Sequence, residues 1–244
     1  MSVVHQSLLL TAGTPARTAP WRWAQRWQQV LFAHWRVAPA ALLPHLPAGV
    51  EPETYDGAAW VSVVAFRLAV RHRGLPAVGP CSNLLEINLR TYVRYRDDPA
   101  VYFLRLHADS RLAVYLARRL TPLPYAVARI VHALGDADRY VASRPDGTPL
   151  FSATFRPTGP RREVRPDSLD EWLVERYRAY VADRRGRLFR MTVQHAPWRM
   201  REIESEITAS GIGAEWGLDL TGPPDRCHYS DAVDAAVLPF EELK

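Results

Sequence analysis

Lysine is almost missing from this chain of 244 residues: its 31 basic side chains are arginines apart from Lys244. Reactions that need an internal amine, above all imine formation at a buried lysine, have no side chain to start from. Cysteine is scarce as well. Cys81 and Cys227 stand far apart, which argues against a disulfide framework and for a reducing, cytoplasmic setting. The first apolar run, SLLL at 7–10, is short and has no lysine or arginine ahead of it, so neither an export signal nor a membrane span is expected. The eight histidines are scattered, with no H-E-x-x-H and no C-x-x-C, and no metal site is predicted. A G-x-S-x-G elbow and a phosphate loop are also missing, and GIGAEWG at 211–217 follows a polar stretch where a dinucleotide loop would follow a strand. The sequence therefore predicts a protein working without a cofactor.

What is present is a 48% hydrophobic composition, enough for a sizeable core, and a net charge of +5. The arginines are spread singly, which fits a solvated surface better than a nucleic-acid stripe, so the expected partner is a small molecule, with a homo-oligomer left open. Residues 1–20 lack periodicity and read as a loose tail. One domain is expected over 21–244.

Turn residues punctuate that domain as sheet. Asp56-Gly57 and Asp146-Gly147 mark two hairpins, and Asp97-Asp98-Pro99 joins two long strands in a third. VLFAHWRV predicts a strand over 29–37, stopped where Pro39 opens a short helix. DSRLAVYLARRL predicts a connecting helix, capped by Asp109 or Ser110, with apolar residues at 112, 116 and 120. Ser168 and Glu171 form a capping box ahead of another. About ten strands with a few helices between them predict an α+β domain with an antiparallel, curled or barrel-like sheet.

The candidate site lies on the strands. In EINLRTYVR, alternation puts Glu86, Asn88, Arg90 and Tyr92 on one face and Ile87, Leu89, Thr91 and Val93 on the other. On the partner strand Arg105, His107 and Asp109 alternate with Leu104, Leu106 and Ala108. Such a face is either solvated or lines a polar cavity, where a carboxylate, an amide and a guanidinium converge on a small ligand. Tyr125 opens a strand directed at the same interior. An interior Glu86 needs a cation or a hydrogen-bond donor, and Arg90 or Arg67 is the expected partner. His34 alternates with Phe32 and is either a ligand contact or a hydrogen-bonded core residue. His195 and Trp198 in HAPWRM either close the cavity or pack as a corner, and Cys81 sits in a Gly/Pro loop that could rim it.

Taken together, VLFAHWRV, LPAGVEPETYDGAAWVSVVAFRL, EINLRTYV, VYFLRLHADSRLAV, LPYAVAR and HAPWRM resemble the YqjF-like family, an uncharacterised group within the acetoacetate decarboxylase-like superfamily, over roughly residues 21–242. The resemblance implies a conical antiparallel β-barrel with helices packed around it. Acetoacetate decarboxylase carries its Schiff-base lysine and an adjacent lysine directly after a proline at the start of a strand. Here the matching proline is Pro124, followed by Tyr125 and Ala126, so both amines are gone. Glu86 matches an acidic position that belongs to the active site in that superfamily, and His107 stands where the family pattern implies an aspartate. Two functions remain open. One is an acid–base enzyme acting on a small carboxylate or keto acid, with Arg90 holding the carboxylate, Glu86 moving the proton and Tyr125 as donor, bordered by Asn88, His107, Arg67 and His34. The other is a small-molecule binding or sensing protein without turnover.

Overall fold

The computed structural model describes residues 21–73 and 82–243. Cys81 and the tail before Trp21 lie outside the described residues. In chain order the strands are β1 (Trp23–Val37), β2 (Val50–Pro52), β3 (Thr54–Tyr55), β4 (Ala58–His72), β5 (Asn83–Tyr95), β6 (Asp98–Ala108), β7 (Tyr125–Val127), β8 (Arg129–Ala133), β9 (Asp138–Ser143) and β10 (Pro149–Glu163). They continue with β11 (Arg178–Ala182), β12 (Leu188–His195), β13 (Arg199–Thr208), β14 (Arg226–Val237) and β15 (Glu241–Glu242). The helices are short: α1 (Pro39–Leu42), α2 (Arg111–Leu120), α3 (Leu169–Val174) and α4 (Ser210–Ala214). No helix among the described residues is long and apolar enough to cross a membrane.

All fifteen strands join one sheet, mostly antiparallel. Its path runs from β12 through β11, β6, β5, β4 and β1 to β14, and β14 pairs again with β12 at Val237–Val193. The pairing returns to where it began. β13, β10, β9 and β8 extend the sheet beyond β14.

Period-two alternation divides the apolar residues between two cores. Leu31, Val63, Ala65, Ile87 and Leu89 face outward against Tyr140, Leu150 and Phe155 of the extension. Val30, Phe32, Val64, Phe66, Met191, Val193 and Val237 face the other way and pack against one another. Which of these two faces a residue belongs to decides whether it can reach the interior.

The expected turns form. Asp56 (φ 49°) and Gly57 (φ 76°) take the two left-handed positions of the β3–β4 hairpin. The β5–β6 turn sits one step earlier than expected, at Arg96–Asp97, with Arg96 at φ 56° and Asp98 already in β6. Ser110 caps α2 by accepting from the Ala113 amide, and Ser168 caps α3 by accepting from the Glu171 amide. Two expectations need correction. β1 begins at Trp23 instead of residue 29, crossing Gln29 (φ 53°) at a register shift against β4. On α2 the buried residue is Val114, while Leu112, Leu116 and Leu120 face outward, the last 67% exposed. GIGAEWG is a packing element: a Cβ at Gly211 would sit 2.0 Å from the Pro149 carbonyl oxygen, so that position needs glycine.

Candidate functional site

On β5 the alternation brings Glu86, Asn88 and Arg90 to the inner face, where they line a cavity of about 80 Å³ with Trp27, Phe32, Phe66 and Tyr125. Glu86 is 3% exposed. Its Oε2 accepts from the Tyr125 phenol at 2.7 Å and its Oε1 from Asn88 Nδ2 at 3.3 Å. Two neutral donors do not offset the loss of water, so burial pushes the Glu86 carboxyl up to about 7. Near neutrality it is divided between acid and base, which is the condition for moving a proton in either direction.

Tyr125 begins β7, which pairs in parallel with β6 at Leu106–Tyr125. Burial and the adjacent Glu86 hold its phenol well above the ordinary value. A proton donor at neutral pH would need the opposite shift. Tyr125 therefore keeps its proton and fixes one oxygen of Glu86.

Arg90 lies over the Phe32 ring at 5.6 Å, and its Nε and Nη2 are buried with no hydrogen-bond partner. Asn88 Oδ1 is likewise buried and unpartnered. A guanidinium keeps its charge even when burial pulls its pKa down, as here. With Arg176 Nη2, four buried polar atoms of cavity-lining residues are thus without a partner, an arrangement that costs stability until something fills it. Arg176, also lining the cavity, differs in being paired with Glu53 at 2.8 Å and stacked on Trp172 at 4.5 Å.

The predicted partners of Glu86 are corrected. No ion pair joins Glu86 to Arg90 among the described residues, and Arg67 is exposed on the opposite face of β4, because Phe66 is the residue that pairs with Glu86. His107 is excluded from the cavity for the same reason. It pairs with Ile87, so it points outward to Glu215 at 4.0 Å, and burial there pulls its pKa down to about 4. Opposite Glu86 and Asn88 stand Ala108 and Leu106. His34 does face inward but is fully buried behind the cavity wall, with Nδ1 2.6 Å from Ser62 Oγ and Nε2 3.3 Å from His228 Nδ1. His228 in turn reaches Asp170 at 3.1 Å, and Tyr92 closes the cluster through Ser62 Oγ at 2.7 Å. It is a core histidine in a hydrogen-bonded cluster.

The HAPWRM corner packs as a corner and borders the cavity. His195 and Trp198 line the cavity, and Trp198 packs on Trp27 (5.9 Å) and Phe32 (5.1 Å). Gln25 and Arg176 were missed: Gln25 lies ahead of the strand expected over 29–37, and nothing in the sequence aims Arg176 inward. The cavity adjoins an apolar one of about 170 Å³ beneath α2, sharing Gln25, Leu68, Leu123, Tyr125 and Val237 with it. Among the described residues no group of three or more His, Cys, Asp or Glu side chains is placed to hold a metal ion.

The family model described as "Uncharacterized conserved protein" matches residues 24–234. The chain belongs to this DUF2071 family. It is 38% identical over 225 residues to the uncharacterized protein YqjF of Bacillus subtilis (strain 168), covering 91% of this chain and 93% of YqjF. Among solved structures it is similar to an acetoacetate decarboxylase-like enzyme from Sphingomonas wittichii RW1, at TM-score 0.64 and 17% identity over 95% of this chain and 96% of that one. It is also similar to the enduracididine biosynthesis enzyme MppR complexed with pyruvate, at TM-score 0.63 and 14% identity over 100% and 99%. At these identities the likeness establishes a mostly-sheet, acetoacetate decarboxylase-like fold and leaves chemistry to the residues of this chain.

Proposed function

We propose that this DUF2071 protein is an acid–base enzyme for a small 2-oxo acid, working without a Schiff base. Its returning sheet is read as the superfamily's barrel, with the cavity inside it. Arg90 takes the substrate carboxylate, Asn88 Oδ1 accepts from a substrate hydroxyl or enol, and Glu86 removes and returns the proton next to the carbonyl. Tyr125 holds Glu86 in place. In the step itself the Glu86 carboxylate takes a proton from the carbon beside the carbonyl, and the electron pair moves to the carbonyl oxygen. Reprotonation reverses it.

The observation that carries this reading is the pairing, in one cavity, of a carboxyl raised to about 7 with a guanidinium whose Nε and Nη2 are unpartnered. The volume favours a molecule of few atoms, since drug-sized pockets begin at roughly 300 Å³. Pyruvate bound to MppR, a protein of like fold, points to the same substrate class. A covalent imine is unavailable to this chain because Tyr125 and Ala126 follow Pro124 and Lys244 is the only lysine.

The test is exchange of the pyruvate methyl protons in deuterated buffer, followed by proton NMR. Protein-dependent exchange should appear and fall about 100-fold or more in Glu86→Gln, in keeping with the loss of a general base. Saturable pyruvate binding without exchange would favour a binding or sensing protein. No binding of pyruvate or other small 2-oxo acids would remove the proposal.

A further inference from the structure

On the far side of the Leu123–Tyr125 segment from Glu86 lies a second concave site of about 520 Å³. Six arginines line it, Arg105, Arg118, Arg119, Arg184, Arg185 and Arg187, against one acid, Asp183. They come from three places that the fold brings together: Arg105 from β6, Arg118 and Arg119 from the last turn of α2, and Arg184, Arg185 and Arg187 from the turn between β11 and β12. The sequence shows only two short runs, ARRL and DRRGR, more than sixty residues apart.

The acid is already committed. Asp183 is paired with Arg187 at 2.7 Å and accepts from the backbone amides of Arg185 and Arg187. Arg187 also reaches Glu242 at 3.3 Å. Arg105 rests on Trp216 at 5.5 Å and Arg119 on Tyr115 at 5.4 Å, contacts that leave a guanidinium charge uncompensated. Arg118, Arg184 and Arg185 form no ion pair among the described residues. Like charges gathered in a concavity repel one another and are retained only where an anion offsets them.

The geometry points to a binding site for a soluble anion bearing two or more phosphoryl groups, held by Arg118, Arg184 and Arg185. Guanidinium forks match phosphate oxygens in bidentate geometry, and several of them converge here on one ligand-sized volume. A nucleic-acid strand would need a row of aromatic platforms along a groove, and this concavity has Phe189 alone facing it beside Tyr125. The site shares only Leu123 and Tyr125 with the Glu86 cavity, and its arginines stand whether or not Glu86 turns over a substrate.

Titration calorimetry with inorganic pyrophosphate at physiological ionic strength tests this directly. Pyrophosphate should bind saturably, and the paired change Arg184→Glu with Arg185→Glu should weaken it by about tenfold or more, as loss of charge-assisted hydrogen bonds does. The thermal melting curve should be unchanged, because both side chains are exposed. Arg139→Glu, an exposed change on β9, should leave binding as it was and so exclude a general charge effect. Pyruvate handling at Glu86 should survive the paired change, which separates failure of this site from failure of the cavity. Absence of saturable binding, equal weakening by Arg139→Glu, or binding to phosphatidylglycerol vesicles without binding to pyrophosphate would each overturn the assignment.

Discussion

On the outer face of β5, Ile87, Leu89 and Val93 are 0% exposed and belong to the apolar core shared with the folded-over extension, with His107 and Arg105 beside them across β6. On the inner face Glu86 and Asn88 are nearly as buried, at 3% and 4%, yet they are polar, and the Nε and Nη2 of Arg90 and Oδ1 of Asn88 beside them have no partner. One strand thus carries a face packed mainly on apolar groups and a face where several polar groups cost stability. The difference points to the inner face as where this molecule keeps its function, because several unpaired buried polar groups gathered in one cavity are a cost that stability alone does not explain.

The contrast can be broken from either side. Leu89→Ala empties a sealed apolar position and should lower stability by about 2–5 kcal/mol in denaturant unfolding while leaving the inner cavity's ligand binding intact in the folded fraction. Glu86→Gln should do the reverse, and the sign depends on pH. The native carboxyl is raised from near 4.5 to about 7, so between those values the folded state holds a proton that the unfolded state has released. Wild-type stability therefore falls as pH rises through that window. Relative to wild type, the Gln variant should gain up to about 3 kcal/mol above pH 7 and show none of this gain below pH ~4.5, read from melting curves across pH.

How far this was legible from residues alone follows from the same two faces. The period-two pattern of EINLRTYVR was enough to group Glu86, Asn88 and Arg90, because strand alternation is local. Assigning His107 and Arg67 required the pairing register across strands, which the pattern does not contain: each was off by one position, and one position on a strand reverses the face. The helix over 111–120 was readable through its Ser110 cap, but its apolar spacing did not reveal that Val114 alone would be buried. His34 was half legible. Its burial fits a core histidine, while its partners Ser62, Tyr92 and His228 come from strands far away in sequence.

Smaller effects sharpen the comparison. Arg90→Met removes a guanidinium with two unpartnered nitrogens, so stability should stay within about 1 kcal/mol while pyruvate affinity falls roughly 10- to 100-fold by calorimetry. Comparable losses of affinity and stability would mean that Arg90 serves the fold. Arg67→Ala, on the exposed face of β4, should change neither stability by more than about 0.5 kcal/mol nor binding at all.

Glu86 titrates near neutrality because it is buried with only neutral donors, and the proposed chemistry rests on that. Its ionisation can be followed by carbon NMR of protein labelled at glutamate side-chain carboxyls, with Glu86→Gln assigning the signal. The signal should titrate near pH 7 in the free protein and move when pyruvate fills the cavity. A Glu86 signal titrating near pH 4.5 and indifferent to pyruvate would contradict the account.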